Sequence, residues 1–93
     1  MDRQYWVYII TNKSNTFLYT GVTSNLARRM EEHKGGNIEG FTKKYNLNKL
    51  VFAEAFDKIE YALMAEKKIK AGSRKKKVEL IESINPEFRE LKF

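Results

Sequence analysis

The chain has 93 residues, of which 42% are hydrophobic and 13% aromatic, with 18 Lys+Arg against 12 Asp+Glu for a net charge of +6, one histidine and no cysteine. A chain of this size buries about 65% of its unfolded surface in one modest core, so a multidomain machine is excluded, and residues 1–93 read as a single domain. The apolar content excludes a disordered chain, and the cysteine and histidine counts exclude a disulfide scaffold, a thiolate metal site and a multi-histidine zinc site.

A surplus of six positive charges attracts polyanions, nucleic acid first. No apolar run approaches the roughly 20 residues that cross a bilayer. The Met-Asp-Arg-Gln start also lacks a basic stretch followed by an apolar one, so a soluble, cytoplasmic protein with no membrane partner is expected.

Residues 5–11 (Tyr-Trp-Val-Tyr-Ile-Ile-Thr) are nearly all β-branched or aromatic and predict a buried strand. The polar cluster Asn12 to Thr16 predicts a turn, and Phe17 to Val22 a second strand, giving a β-hairpin. Thr23 or Ser24 can cap a helix from about Asn25 to Lys34, with Leu26 and Met30 on one face and Arg29 and His33 four residues apart. Gly35, Gly36 and Gly40 mark a loop, Phe41 to Tyr45 a single helical turn, and Leu50 to Phe56 a third strand.

Asp57 and Glu60 have capping-box spacing and predict a helix to about Ala71, with Ile59, Ala62, Leu63 and Ile69 as its apolar positions. Gly72 is placed to end that helix in a left-handed conformation, Ser73 to cap another from about Arg74 to Ser83, and Pro86 to stop it. The order is β-β-α-(turn)-β-α-α, an α/β (α+β) domain with three strands.

Residues 67–77 place seven positive charges in eleven positions: Lys67, Lys68, Lys70, Arg74, Lys75, Lys76 and Lys77. Such a run can be a solvated helix face. The Ser73-capped junction it brackets and the lack of a matching acid cluster favour phosphate contact. Tyr8 and Tyr19 fall on facing strands, with Gly21 two residues on; alone, each tyrosine reads as packing and Gly21 as a strand kink or a point of close approach. Alone, Arg29 beside Arg28 reads as a solvated surface charge and the lone His33 as a group without function; as a pair on one helical face they can clamp a phosphate and hold or move a proton. Glu66 suits a magnesium site completed by water and phosphate oxygens, or an ion pair with Lys70; Asn85 before Pro86 is by default a turn residue.

These residues together resemble the GIY-YIG endonuclease family, and within it the small stand-alone bacterial, excinuclease-like group. The resemblance runs from Tyr-Trp-Val-Tyr-Ile-Ile through Phe-Leu-Tyr-Thr-Gly-Val-Thr-Ser-Asn-Leu-Ala-Arg-Arg-Met-Glu-Glu-His and Ala-Glu-Lys-Lys-Ile-Lys to Ile-Asn-Pro-Glu-Phe-Arg-Glu-Leu. Val7-Tyr8 stands for the first motif and Tyr19-Thr20-Gly21 for the second, with Gly21 a structural turn position. Two positions depart from the family pattern: the glycine of the first motif is missing, and Val22 replaces a lysine of the excision-repair relatives.

The resemblance implies a small three-stranded antiparallel sheet flanked by helices and a metal-dependent hydrolase that cleaves DNA phosphodiesters, in repair or recombination. It implies a catalytic set of Tyr8, Tyr19, Arg29, His33, Glu66 and Asn85. Glu66 would hold one divalent ion, Mg²⁺ or Mn²⁺, and Asn85 would support the metal end. Tyr8, or Tyr19, would accept the proton of the attacking water with its pKa lowered by the cation and Arg29. Arg29 would stabilise the phosphate, and His33 would relay a proton. The basic run, directly after Glu66, is expected to hold the nucleic-acid backbone beside the metal. The alternatives are a nucleic-acid-binding module without useful catalysis, and an accessory domain whose protein partner supplies specificity.

Overall fold

The computed structural model describes residues 3–36, 38 and 40–92. Three strands, β1 (Tyr5–Thr11), β2 (Leu18–Thr23) and β3 (Lys49–Phe56), form one antiparallel sheet in the order β2-β1-β3. The most apolar strand, β1, is central because both its faces and both its edges are covered. The helices are α1 (Leu26–Lys34), the single turn α2 (Phe41–Lys44), α3 (Ile59–Ala71) and α4 (Arg74–Glu82). No helix among the described residues is long and apolar enough to cross a membrane.

Alternation along β1 divides the core. Tyr8 and Ile10 pack with Leu26 and Met30 of α1, Leu47 and Leu50, whereas Ile9 packs with Val51, Phe52 and Ile81 of α4. Consecutive residues Val51 and Phe52 share that second cluster because the β1–β3 register slips. Ile9 faces Phe52 and Ile10 faces Leu50, which leaves Val51 as the extra residue of a bulge.

A bulge leaves backbone groups without ladder partners, and here Asn85 supplies one: its Nδ2 donates to the Val51 carbonyl at 3.1 Å. The same nitrogen donates to the Arg89 carbonyl at 2.8 Å, and Oδ1 accepts from the Arg89 N–H at 3.0 Å. Asn85 thereby clasps the tail to β3, and the Leu91 N–H donates to the Leu50 carbonyl at 2.8 Å just beyond.

Four local expectations change. Strand β2 continues through Thr23, so the cap of α1 falls on Asn25, whose side chain accepts from the Arg28 N–H, and not on Thr23 or Ser24. The N-cap of α3 is Lys58 without a side-chain bond; Glu60 is then the second residue of the helix, one short of the position from which it closes a capping box. Gly72 is extended (φ −77°, ψ 160°) rather than left-handed, since the chain must straighten to reach the Ser73 cap of α4. Leu63 is half exposed because the helical step turns it off the buried line on which Ala62 lies.

Candidate active site

Side-chain direction on β1 and β2 starts the site. Tyr8 pairs with Gly21 and Ile10 with Tyr19, so Tyr8, Tyr19 and Gly21 share the face that meets α1. Gly21 is therefore within a strand, not at a turn, and it is glycine for a steric reason. A Cβ built there would lie 2.5 Å from Tyr8 Oη and 2.6 Å from Cζ, so the Tyr8 ring occupies the space that any other residue would fill. The expected close approach is of a backbone or a substrate, but the group that approaches is the side-chain ring of Tyr8.

The Tyr8 hydroxyl meets Nε2 of His33 at 3.1 Å in a buried contact across the sheet–helix interface. His33 also lies edge-on to both aromatic rings, with centroids 5.8 Å from Tyr8 and 6.0 Å from Tyr19. His33 is only 7% exposed, and its Nδ1 is buried without a partner. Burial first, then the positive charge of Arg29, lowers its pKa from 6.5, with Glu32 opposing, so the imidazole is neutral at pH 7.

Burial also dominates Tyr8 and raises its pKa well above the ordinary 10.0; Tyr19 adds to the rise, Arg29 opposes it, and Glu66 and Glu32 add further. The expected lowering of a tyrosine pKa required a bound cation together with Arg29, whereas this rise comes from the protein's own groups. Arg29 acts in the expected direction but does not outweigh desolvation of the phenolate.

Arg29 emerges from α1 with its side chain 38% exposed and Nε 3.9 Å from Glu32 Oε1. Glu32 also faces Arg28 at 3.9 Å, and Arg28, Arg29 and Glu32 line a polar pocket of about 240 Å³ with Thr23, Ser24 and Asn25. The sequence reading passed over Glu32, although its spacing of three and four from the two arginines was the available signal.

On α3, the Glu66 side chain is 21% exposed and pairs with Lys70 at 3.5 Å. Among the described residues no group of three or more His, Cys, Asp or Glu converges on one point. A cation at Glu66 would rest on one protein carboxylate, with water and substrate oxygens as its remaining ligands. Small hard divalent ions accept such a shell, so the residue fits the group.

The basic run does not form one surface. Around α3, Lys67 and Lys70 rise on the flank that carries Glu66, whereas Lys68 projects about 160° round the helix from it. Lys68, Lys76 and Lys77 instead line a groove between α3 and α4. Arg74 forks onto the β1–β2 loop, donating to the Thr16 and Asn15 carbonyls at 2.9 Å each, which holds a turn where Asn15 has a positive φ of 58°. Lys75 is exposed on α4. All the hydrogen bonds of the Asn85 side chain are to backbone groups. The structure thus brings together Tyr8, Tyr19 and His33, with Arg29 on the same helix as His33, leaves Glu66 on α3 paired with Lys70, and gives Asn85 and Arg74 structural contacts elsewhere.

A hairpin bearing two tyrosines, packed on a helix with Arg and His four residues apart and followed by a glutamate helix, defines a nuclease-like α+β domain. Residues 4–79 match the family model described as the GIY-YIG catalytic domain, and the chain belongs to the GIY-YIG nuclease family. Its relatives are small stand-alone members of that family. A UPF0213 protein of Syntrophus aciditrophicus is 40% identical over 94% of this chain and 98% of its own, and one of Natronomonas pharaonis is 37% identical over 87% and 94%. The solution NMR structure of the UPF0213 protein BH0048 of Bacillus halodurans superposes with a TM-score of 0.61 at 30% identity, covering 94% of this chain and 92% of that one.

Proposed function

We propose that the protein is a metal-dependent endonuclease that hydrolyses DNA phosphodiester bonds in the cytoplasm, in repair or recombination. The observation that carries this reading is the buried Tyr8–His33 hydrogen bond of 3.1 Å, made by a helix that also carries Arg29 one turn before His33. Packing alone does not require a buried pair of proton-bearing side chains on a helix that also carries a part-exposed arginine.

In this reading Arg29 clamps the scissile phosphate, exchanging its long contact with Glu32 for phosphate oxygens, and its fixed charge stabilises the negative charge that grows during attack. Tyr8 orients the attacking water and passes a proton to His33. His33 is suited to receive it because its imidazole is neutral at pH 7, and in the tautomer protonated at Nδ1 its Nε2 accepts from the Tyr8 hydroxyl. A phenolate is not needed at rest. Tyr19 supports the other side of the imidazole.

Glu66 would hold a divalent cation, Mg²⁺ or Mn²⁺, after releasing Lys70. When bound, that ion supplies charge stabilisation at a phosphate oxygen and at the leaving group. Lys67 and Lys70, on the Glu66 flank, hold the neighbouring backbone, and Arg28 adds to the polar pocket beside Arg29. Asn85 serves the reaction only through the fold.

Arg29 and Lys75 separate this reading from a binding module without catalysis. Under single-turnover conditions with Mg²⁺ or Mn²⁺, Arg29→Ala is expected to lower the cleavage rate at least a hundredfold, because its contact strengthens in the transition state; Lys75→Ala changes binding only a few-fold. Equal small effects of both, or salt-sensitive binding with no product, would overturn the proposal.

A further inference from the structure

Between the C-terminal half of α3 and the first turns of α4 lies an open groove of about 510 Å³. Its floor includes Ile69 and Leu80, both packed against the second core cluster. Its rim carries Lys68, Lys76 and Lys77, and Glu54 of β3 is the one acid among its lining residues. The local balance is positive around an aliphatic floor.

Nucleic acid makes poor use of this combination. Phosphates seek cations and donors and gain nothing from Ile69 or Leu80. The lysine rim is also turned away from Glu66, since Lys68 projects about 160° round α3 from it. A strand held by Glu66 therefore runs past the side of α3 opposite Lys68.

The groove is not isolated. Tyr61 and Met64 lie on the Lys68 side of α3 at helical spacing, and both are more than half exposed. At its other wall, β3 is an edge strand of the sheet. The tail covers the start of that edge at Leu50 and Val51, while the stretch around Glu54 has no outer strand neighbour among the described residues.

We propose that this groove docks an acidic peptide segment of a partner protein, with one aliphatic or aromatic side chain covering Ile69 and Leu80 and flanking carboxylates meeting Lys68, Lys76 and Lys77. The anchor supplies affinity by apolar burial; the lysines select charge and speed encounter. Glu54 disfavours a basic segment. The site stands apart from the cleavage reading and does not depend on it.

The test uses the full chain and a fluorescein-labelled 12-residue peptide of Glu and Asp that bears two leucines four residues apart. Its controls are the same peptide with serines for the leucines and a 12-nucleotide single-stranded DNA, each followed by anisotropy and by amide shifts of ¹⁵N-labelled protein. The leucine peptide is expected to shift amides of Glu54, 65–72 and 76–80, and to bind about tenfold more weakly to a Lys76→Glu/Lys77→Glu variant that keeps the wild-type spectrum elsewhere. Ala71→Gln, an exposed change inside the groove, gives a second variant expected to weaken binding without altering charge. No binding of the leucine peptide, equal binding of the serine peptide, or DNA shifting the same amides would each overturn the proposal.

Discussion

Replacing Gly21 by alanine tests the geometry on which the site rests. The added Cβ would sit 2.5 Å from Tyr8 Oη, about 0.9 Å inside the ordinary contact limit of 3.4 Å. The ring has no free direction, because Tyr8 is 2% exposed and its hydroxyl is held by His33 at 3.1 Å. A shift of that size lengthens the hydrogen bond beyond its useful range. Overpacking costs about 1–3 kcal/mol and the lost bond about 1 kcal/mol, offset by about 0.4–1 kcal/mol from the stiffer unfolded chain. The expected net loss is about 2 kcal/mol, or roughly 8–16 °C in Tm for a domain of this size. Urea unfolding of Gly21→Ala, Tyr8→Ala and the double variant measures it. In the Tyr8→Ala background the obstruction is gone, so Gly21→Ala is expected to cost less than about 0.5 kcal/mol there. Equal cost in both backgrounds would refute the argument that Gly21 exists to seat the Tyr8 ring.

Asn85→Ala strands the bulge carbonyl of Val51 and two groups of Arg89, and is expected to cost about 2–4 kcal/mol in urea unfolding; a loss below about 0.5 kcal/mol would contradict the clasp. Arg74→Ala is expected to lower stability by about 1 kcal/mol through the freed β1–β2 loop, while Lys75→Ala stays within about 0.5 kcal/mol. Similar values for the two would mean that the fork onto Thr16 and Asn15 does not hold the loop. The pKa of His33 is lowered in the fold, so between its folded value and the ordinary 6.5 the unfolded chain binds the proton first. Its stability contribution is complete above pH 6.5 and is lost as pH falls through the folded value; wild type is expected to lose more stability than His33→Gln between pH 7.5 and 5.5. Parallel profiles would contradict it.

Much of this was legible because strand and helix signals agreed with their neighbours. The run 5–11 became β1 without a shift of either end, and Ser73 caps α4 as its spacing implied. Tyr8, Tyr19, Arg29, His33 and Glu66 were all named from sequence. What escaped depends on contacts between distant segments. The cap of α1 moved to Asn25 because sheet pairing extended β2 through Thr23. The clasp of Asn85 exists only because β3 has a bulge, which no local pattern announces. The basic run looked continuous along the chain, but the turn of α3 and the junction at Gly72 divide it among the Glu66 flank, the groove and the β1–β2 loop. The burial of Tyr8 escaped for the same reason, since adjacent charges can be counted from motifs whereas burial cannot.

The central claim is that this constellation hydrolyses DNA, and cleavage by matched wild type and Glu66→Ala tests it most directly. Both proteins, shown by circular dichroism to fold alike, are incubated with single-stranded, duplex, flap and branched DNA in Mg²⁺, in Mn²⁺ and in EDTA. The account predicts nicked product from at least one substrate with wild type and a divalent ion, and none with EDTA or with Glu66→Ala. Equal cleavage by the two proteins, or none by wild type under any condition, would contradict it.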